Sequence, residues 1–109
     1  KLEVNAGAQV KLIFSNPDVM LHNWLLGKPG SAEEIGEFAD KMASTADGFQ
    51  KGYIPESDKI LVSSKLLSPN ESQEIEFEAP DQPGDYPYLC TFPGHWRMMQ
   101  GILTVKAAP

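Results

Sequence analysis

"YLCTFPGHWRMMQG", residues 88–101, places the only cysteine of the chain, Cys90, five positions before His95, one of just two histidines. Met98 and Met99 follow at once. A thiol, an imidazole and two thioethers in one short loop admit three readings. Free cysteine is among the most buried residue types and methionine fills gaps in cores, so the group reads first as packing. A cysteine nucleophile with a histidine base is a second reading. It lacks an Asn or Asp that stands out as the orienting member, and the glycine-rich turn of an oxyanion hole is missing. The third reading is a soft metal ion, which thiolate and thioether sulfurs favour and imidazole also suits.

The metal reading accounts for the most residues. Cys90, His95 and Met99 are spaced Cys-x4-His-x3-Met, with Pro93-Gly94 as a tight turn just before the imidazole. A second nitrogen donor can come only from His22, in "MLHNW" (20–24), an apolar stretch where an unpaired imidazole is costly. Two His and one Cys in a trigonal plane, with a long, weak axial Met, is the arrangement of blue-copper sites. Zinc takes two His and a Cys tetrahedrally but gains little from a thioether, so Met99 favours copper. A lone cysteine also excludes an internal disulfide and a zinc site built on several thiolates.

Outward from this loop the chain reads as short strands joined by turns. "EVNAGAQVKLIFSN" (3–16) turns at Ala6-Gly7 and then alternates, with Val10, Leu12 and Phe14 on one face. "VMLHNWLLG" (19–27) predicts a second, more apolar strand, ended by Lys28-Pro29-Gly30. Ser31 and Glu34 form a capping-box pattern, followed by apolar residues at Ile35, Phe38, Met42, Ala46 and Phe49. That spacing predicts an amphipathic helix over about 32–47, stopped by Gly48. "KILVSS" (59–64), "SQEIEFEA" (72–79), "DYPYLC" (85–90) and "GILTVK" (101–106) read as further strands. Ile75 and Phe77 face in while Glu74, Glu76 and Glu78 face out, and Pro87 suits an edge or a bulge. "AAP" (107–109) reads as a fray or a linker start. Regularly spaced strands with one inserted helix predict an all-β Greek-key sandwich or small barrel.

The 109 residues fit one domain over 1–109 with one core. A formal charge of −6 with no Lys/Arg run argues against a nucleic-acid partner, and an acidic surface steers toward a basic one. No apolar run reaches the roughly 20 residues that span a bilayer, and no leader pattern is read.

"MLHNW" and "YLCTFPGHWRMMQG", with "KMAS" (41–44) and "LVSSKLL" (61–67), resemble the azurin and auracyanin branch of the cupredoxins, small blue copper proteins. The resemblance covers about residues 8–106 and implies an eight-stranded Greek-key sandwich with one type 1 copper at one end. It carries over His22, Cys90 and His95 as equatorial ligands and Met99 as the axial one, and it assigns Met98 to packing. Four departures stand out. Leu21, which carries a Cβ, takes the place of the glycine whose carbonyl makes a weak axial contact, and the resemblance carries that carbonyl over as a weak contact. The family's disulfide cannot form, Trp96 replaces a small residue, and the first strand is missing. The last point suggests a domain cut from a larger protein, or an edge filled by another chain.

The resemblance implies a copper electron carrier, not an enzyme, in the periplasm or otherwise outside the cytoplasm. Its alternatives are the electron-accepting copper module of a larger redox enzyme, or a non-redox metal-binding domain. Its partner, a cytochrome or an oxidoreductase, is expected at an apolar ring around His95 formed by Val19, Met20, Phe92, Pro93 and Trp96. Trp96 would either extend that ring or shield His95, and Arg97 would orient a partner or simply be solvated. Asn23 is expected to bond the loop near Thr91, and Trp24 to be core.

Overall fold

The computed structural model describes residues 2–108. Two sheets form a sandwich. The larger holds β1 (Leu2–Asn5), β7 (Gln100–Lys106), β6 (Gly84–Leu89), β3 (Leu25–Gly27) and β4 (Ile60–Ser63), in that spatial order. The smaller pairs only β2 (Gln9–Ser15) with β5 (Ser72–Glu78), antiparallel. Seven strands are present among the described residues, one fewer than the resemblance implies.

Period-two patterning explains the sandwich. Leu12 lies opposite Ile75 and Val10 opposite Phe77, turned in, while Lys11, Glu74, Glu76 and Glu78 face water. Leu26, Tyr86, Leu103 and Val105 of the large sheet, with Trp24 just before β3, meet them to make the main core. Residues of alternate parity on the same strands, Leu25 and Leu89, point to the opposite face. There they pack with Ile35 of the helix α1 (Ala32–Met42) and with Trp96. Leu25, Leu26, Ile35 and Leu89 are at most 1% exposed, and each such burial contributes about 1.5–3 kcal/mol.

Three local expectations are corrected. The helix ends at Met42 rather than near residue 47. Ser44 Oγ and Thr45 Oγ1 donate to the carbonyls of Lys41 and Met42, which favours turns over a further helical turn. The Ser31 hydroxyl does not cap the helix; it donates backwards to the Lys28 carbonyl at 2.6 Å. The buried helical stripe is Ile35, Gly36 and Ala39, so Phe38 is partly exposed and Phe49 largely so.

The second predicted strand is regular only over Leu25–Gly27, with His22 held by an isolated bridge to Leu67. Its upstream residues 18–20 bend instead. Pro87 sits inside the sheet, in register with Ile102 of β7, rather than on an edge strand. Pairing of β6 with β3 involves only Tyr88 and Leu89, so no ladder partner is lost at the missing Pro87 N–H. Pro109 lies outside the described residues. No helix is long and apolar enough to cross a membrane among those that are described.

Candidate metal centre

The loop that follows β6 folds back on itself. Pro93-Gly94 makes a tight turn, with Gly94 at φ +84° and His95 N–H donating to the Phe92 carbonyl at 3.0 Å. The N–H groups of Met98 and Met99 both reach the His95 carbonyl, a single helical turn. Cys90 N–H then donates to the Met99 carbonyl at 3.0 Å and closes the neck. The backbone itself thus brings residues 90, 95 and 99 to one end of the sandwich.

His22 arrives from the strand beside this loop, fixed by reciprocal backbone bonds with Leu67. Its Nδ1 lies 3.6 Å from Cys90 Sγ, and His95 Nδ1 lies 3.6 Å from the same sulfur. One donor atom of each of His22, Cys90 and His95 falls within 4.8 Å of the other two. Metal–nitrogen and metal–sulfur bonds of about 2.0 and 2.3 Å meeting near 120° separate nitrogen from sulfur by about 3.7 Å. The cavity between the three atoms therefore fits one ion. Met99 lines a wider pocket beside that gap, together with His22 and Cys90.

Burial shapes the donors. Desolvation pushes the Cys90 thiol above its usual range, offset in part by the N–H groups of Asn23 and Phe92 that face it. The Asn23 N–H donates to Sγ at 3.5 Å. Burial, and then the neighbouring His22, hold His95 below the ordinary imidazole range, which favours the neutral donor form. His22 Nε2 is 3.1 Å from Asp18 Oδ2; that bond and the Val19 N–H lower the Asp18 carboxyl.

Asn23 ties the two segments together as expected. Its Nδ2 donates to Thr91 Oγ1 at 2.9 Å and to the Gly52 carbonyl at 2.8 Å, and its Oδ1 accepts from Thr91 N–H at 2.7 Å. Thr91 Oγ1 donates onward to the Tyr53 carbonyl, so the connection after α1 joins the same frame. Trp24 is core, 6% exposed, packed near Phe77 and Tyr88.

Two loop residues behave differently from the sequence reading. Met98 does not pack; it is 90% exposed, because neighbours on a helical turn point about 100° apart and Met99 takes the inward side. Trp96 neither widens the ring around His95 nor shields it, being 7% exposed against α1. Its Nε1 donates to Asp40 Oδ1 at 3.0 Å. Arg97 is not simply solvated: it donates to Asp40 Oδ2 at 3.2 Å and lies 4.5 Å over the indole. Of the other expected ring residues, Phe92 lies with its ring 5.0 Å from that of His95 and is half-buried like Pro93, while Val19 and Met20 are exposed. Leu21, beside His22, lines a surface groove with Phe49 and Leu66.

Asp18, Asp40 and Gly36 escaped the sequence reading. An acid in a turn, an acid on a helix and a glycine carry no periodic signal.

Comparison with known proteins fits this geometry. Residues 1–106 match the sequence model described as copper binding proteins, plastocyanin/azurin family. The chain is similar to auracyanin A of Chloroflexus aurantiacus, 40% identical over 108 residues, covering 97% of this chain and 64% of that protein. It is 35% identical over 92 residues to the azurin of Pseudomonas fluorescens biotype A, covering 82% of this chain and 68% of that one. The chain thus spans only about two thirds of the length of these relatives. The solved structure of auracyanin A, titled a "blue" copper protein, superposes with a TM-score of 0.85 at 39% identity, covering 96% of this chain and 84% of that one. Dithionite-reduced auracyanin from Roseiflexus castenholzii gives 0.82 at 30% identity, covering 99% and 83%.

Proposed function

This chain belongs to the plastocyanin/azurin family of copper-binding proteins, and from that premise we propose that it is a type 1 copper electron carrier. The observation that carries the proposal is the convergence of two imidazole nitrogens and one thiol sulfur on one ion-sized gap. His22 Nδ1, Cys90 Sγ and His95 Nδ1 are assigned as the ligands. The Met99 thioether would hold the ion weakly beside them, and the Leu21 carbonyl would be a further weak contact. Copper bound there supplies one-electron chemistry between its +1 and +2 states.

The rest of the work belongs to the chain. Low rearrangement between the two oxidation states requires donors that stay in place, and the fold anchors each of them. His22 is fixed by the Leu67 bridge, Cys90 by its bond to Met99, and the loop by Asn23 and Trp96. The N–H of Asn23 at the Cys90 sulfur favours the thiolate that a soft metal needs.

We take His95 as the exit point: Phe92 packs beside its ring, and Val19 and Met20 are exposed on the segment just before His22. Such a small apolar surface suits a weak, brief encounter with a redox protein, a cytochrome or an oxidoreductase. Residues 1–109 are taken as a single copper-binding domain acting outside the cytoplasm, and no catalytic residue is assigned to it. Reversible cycling tests this reading: ascorbate should bleach the copper-loaded protein and ferricyanide should restore its full colour over many rounds. Loss of copper or of colour after one round would contradict it.

A further inference from the structure

His22 and His95 are not equivalent donors. Behind His22 stands a carboxylate: Asp18 Oδ2 lies 3.1 Å from Nε2, the nitrogen that faces away from Cys90. A carboxylate accepts hydrogen bonds and cannot donate them, so the Nε2 hydrogen is fixed and the Nδ1 lone pair is left facing the sulfur. Among the described residues no carboxylate bonds His95, whose ring neighbours are His22 and Phe92.

The placement of Asp18 is built in, although its side chain is about half exposed. Asn16, 1% exposed, donates from Nδ2 to the carbonyls of Met20 at 2.8 Å and Leu67 at 3.1 Å. Its Oδ1 accepts from the Asp18 N–H at 2.9 Å, and Asp18 Oδ1 accepts from the Val19 N–H at 2.7 Å. A fully buried amide thus shapes the turn from which the carboxylate reaches forward four residues to the imidazole. Leu67 serves both Asn16 and His22, so the turn and the donor share one anchor.

We propose that Asp18 is a positioning residue for the copper site, holding His22 in the Nε2–H tautomer and adding negative charge behind its ring. The charge strengthens Nδ1 as a donor and favours the more positive oxidation state, so it lowers the reduction potential. Water around the exposed carboxylate tempers the effect without removing it. This inference rests on the copper reading above.

The test uses the full chain and the variants Asp18→Ala and Asp18→Asn. In the metal-free protein at mildly alkaline pH, nitrogen-15 NMR should show the Nε2–H tautomer of His22 in the wild type and in Asp18→Asn, which keeps an acceptor oxygen. Asp18→Ala should show a mixture. With copper, Asp18→Ala should lose about 10–100-fold in Cu(II) affinity, the range typical for losing a hydrogen-bond partner behind a ligand. Both variants should show a raised potential. An Nδ1–H tautomer in the wild type, or unchanged affinity and potential in Asp18→Ala, overturns the proposal. If copper gives no colour in the wild type, the carrier reading fails instead, and the tautomer of the metal-free protein still decides what Asp18 does to the ring.

Discussion

The indole of Trp96 lies against the bare Cα of Gly36: a Cβ built there would come within 2.1 Å of Trp96 Cδ2 and within 2.4 Å of Cε3. Because Trp96 directly follows His95, this contact couples the helix to the metal loop. Gly36→Ala adds a better helix former, worth about 1 kcal/mol in isolation. Overpacking against a rigid, buried ring costs about 1–3 kcal/mol and should prevail. Denaturant unfolding should therefore show a less stable protein, with a shifted visible band in its copper form. A more stable Gly36→Ala protein would show that the ring is not held there.

Asn23 serves three partners with one buried amide. Asn23→Ala should strand the Thr91 N–H and the Gly52 carbonyl, at about 1–3 kcal/mol for each group left unpaired. Calorimetry of the metal-free protein should show a clear drop in Tm, with a broadened visible band once copper is added. An unchanged Tm would mean that the loop is held by other contacts.

Met99→Leu should keep the blue colour, because the thiolate supplies it, and raise the potential, because losing a weak thioether donor disfavours the more positive oxidation state. Voltammetry of the two proteins reads this directly. An unaltered potential would remove Met99 from the axial position.

The metal-free protein should be most stable between the ordinary imidazole and thiol values, about 6.5 and 8.5. His95 is depressed by burial, so its contribution is present above the ordinary imidazole value and is lost as pH falls through its folded one. Cys90 is raised by burial, so its contribution is present below the ordinary thiol value and fades as pH rises through its folded one. Denaturant midpoints across pH 5–10 check both limbs, and Cys90→Ala should flatten the alkaline one. A midpoint that climbs steadily from pH 7 to 5 would contradict the His95 assignment.

What the sequence disclosed follows from the kind of signal each feature leaves. Ile75 and Phe77 alternate with glutamates, so their strand and its inward face were legible at once. His22, Cys90 and His95 were legible through scarcity, since two histidines and one cysteine leave little choice. Asn23 was legible as a polar residue inside an apolar run, where an amide must find partners. Trp96 was not, because bulk alone does not say whether a ring points to solvent or to a helix. Gly36, its seat, is silent in any pattern that counts side chains. The helix end was misplaced for a related reason: Met42, Ala46 and Phe49 keep helical spacing, yet the Ser44 and Thr45 hydroxyls end the helix locally. Asp18 sits in an exposed turn, and only the fold brings it to the far side of the imidazole.

The most direct measurement is a Cu(II) titration of the purified metal-free protein, followed by visible absorption and electron paramagnetic resonance, beside Cys90→Ser. One equivalent should give an intense thiolate-to-copper band with a narrow parallel hyperfine splitting, and Cys90→Ser should give neither. A colourless wild-type complex, or a band that survives the loss of the Cys90 sulfur, would contradict the account.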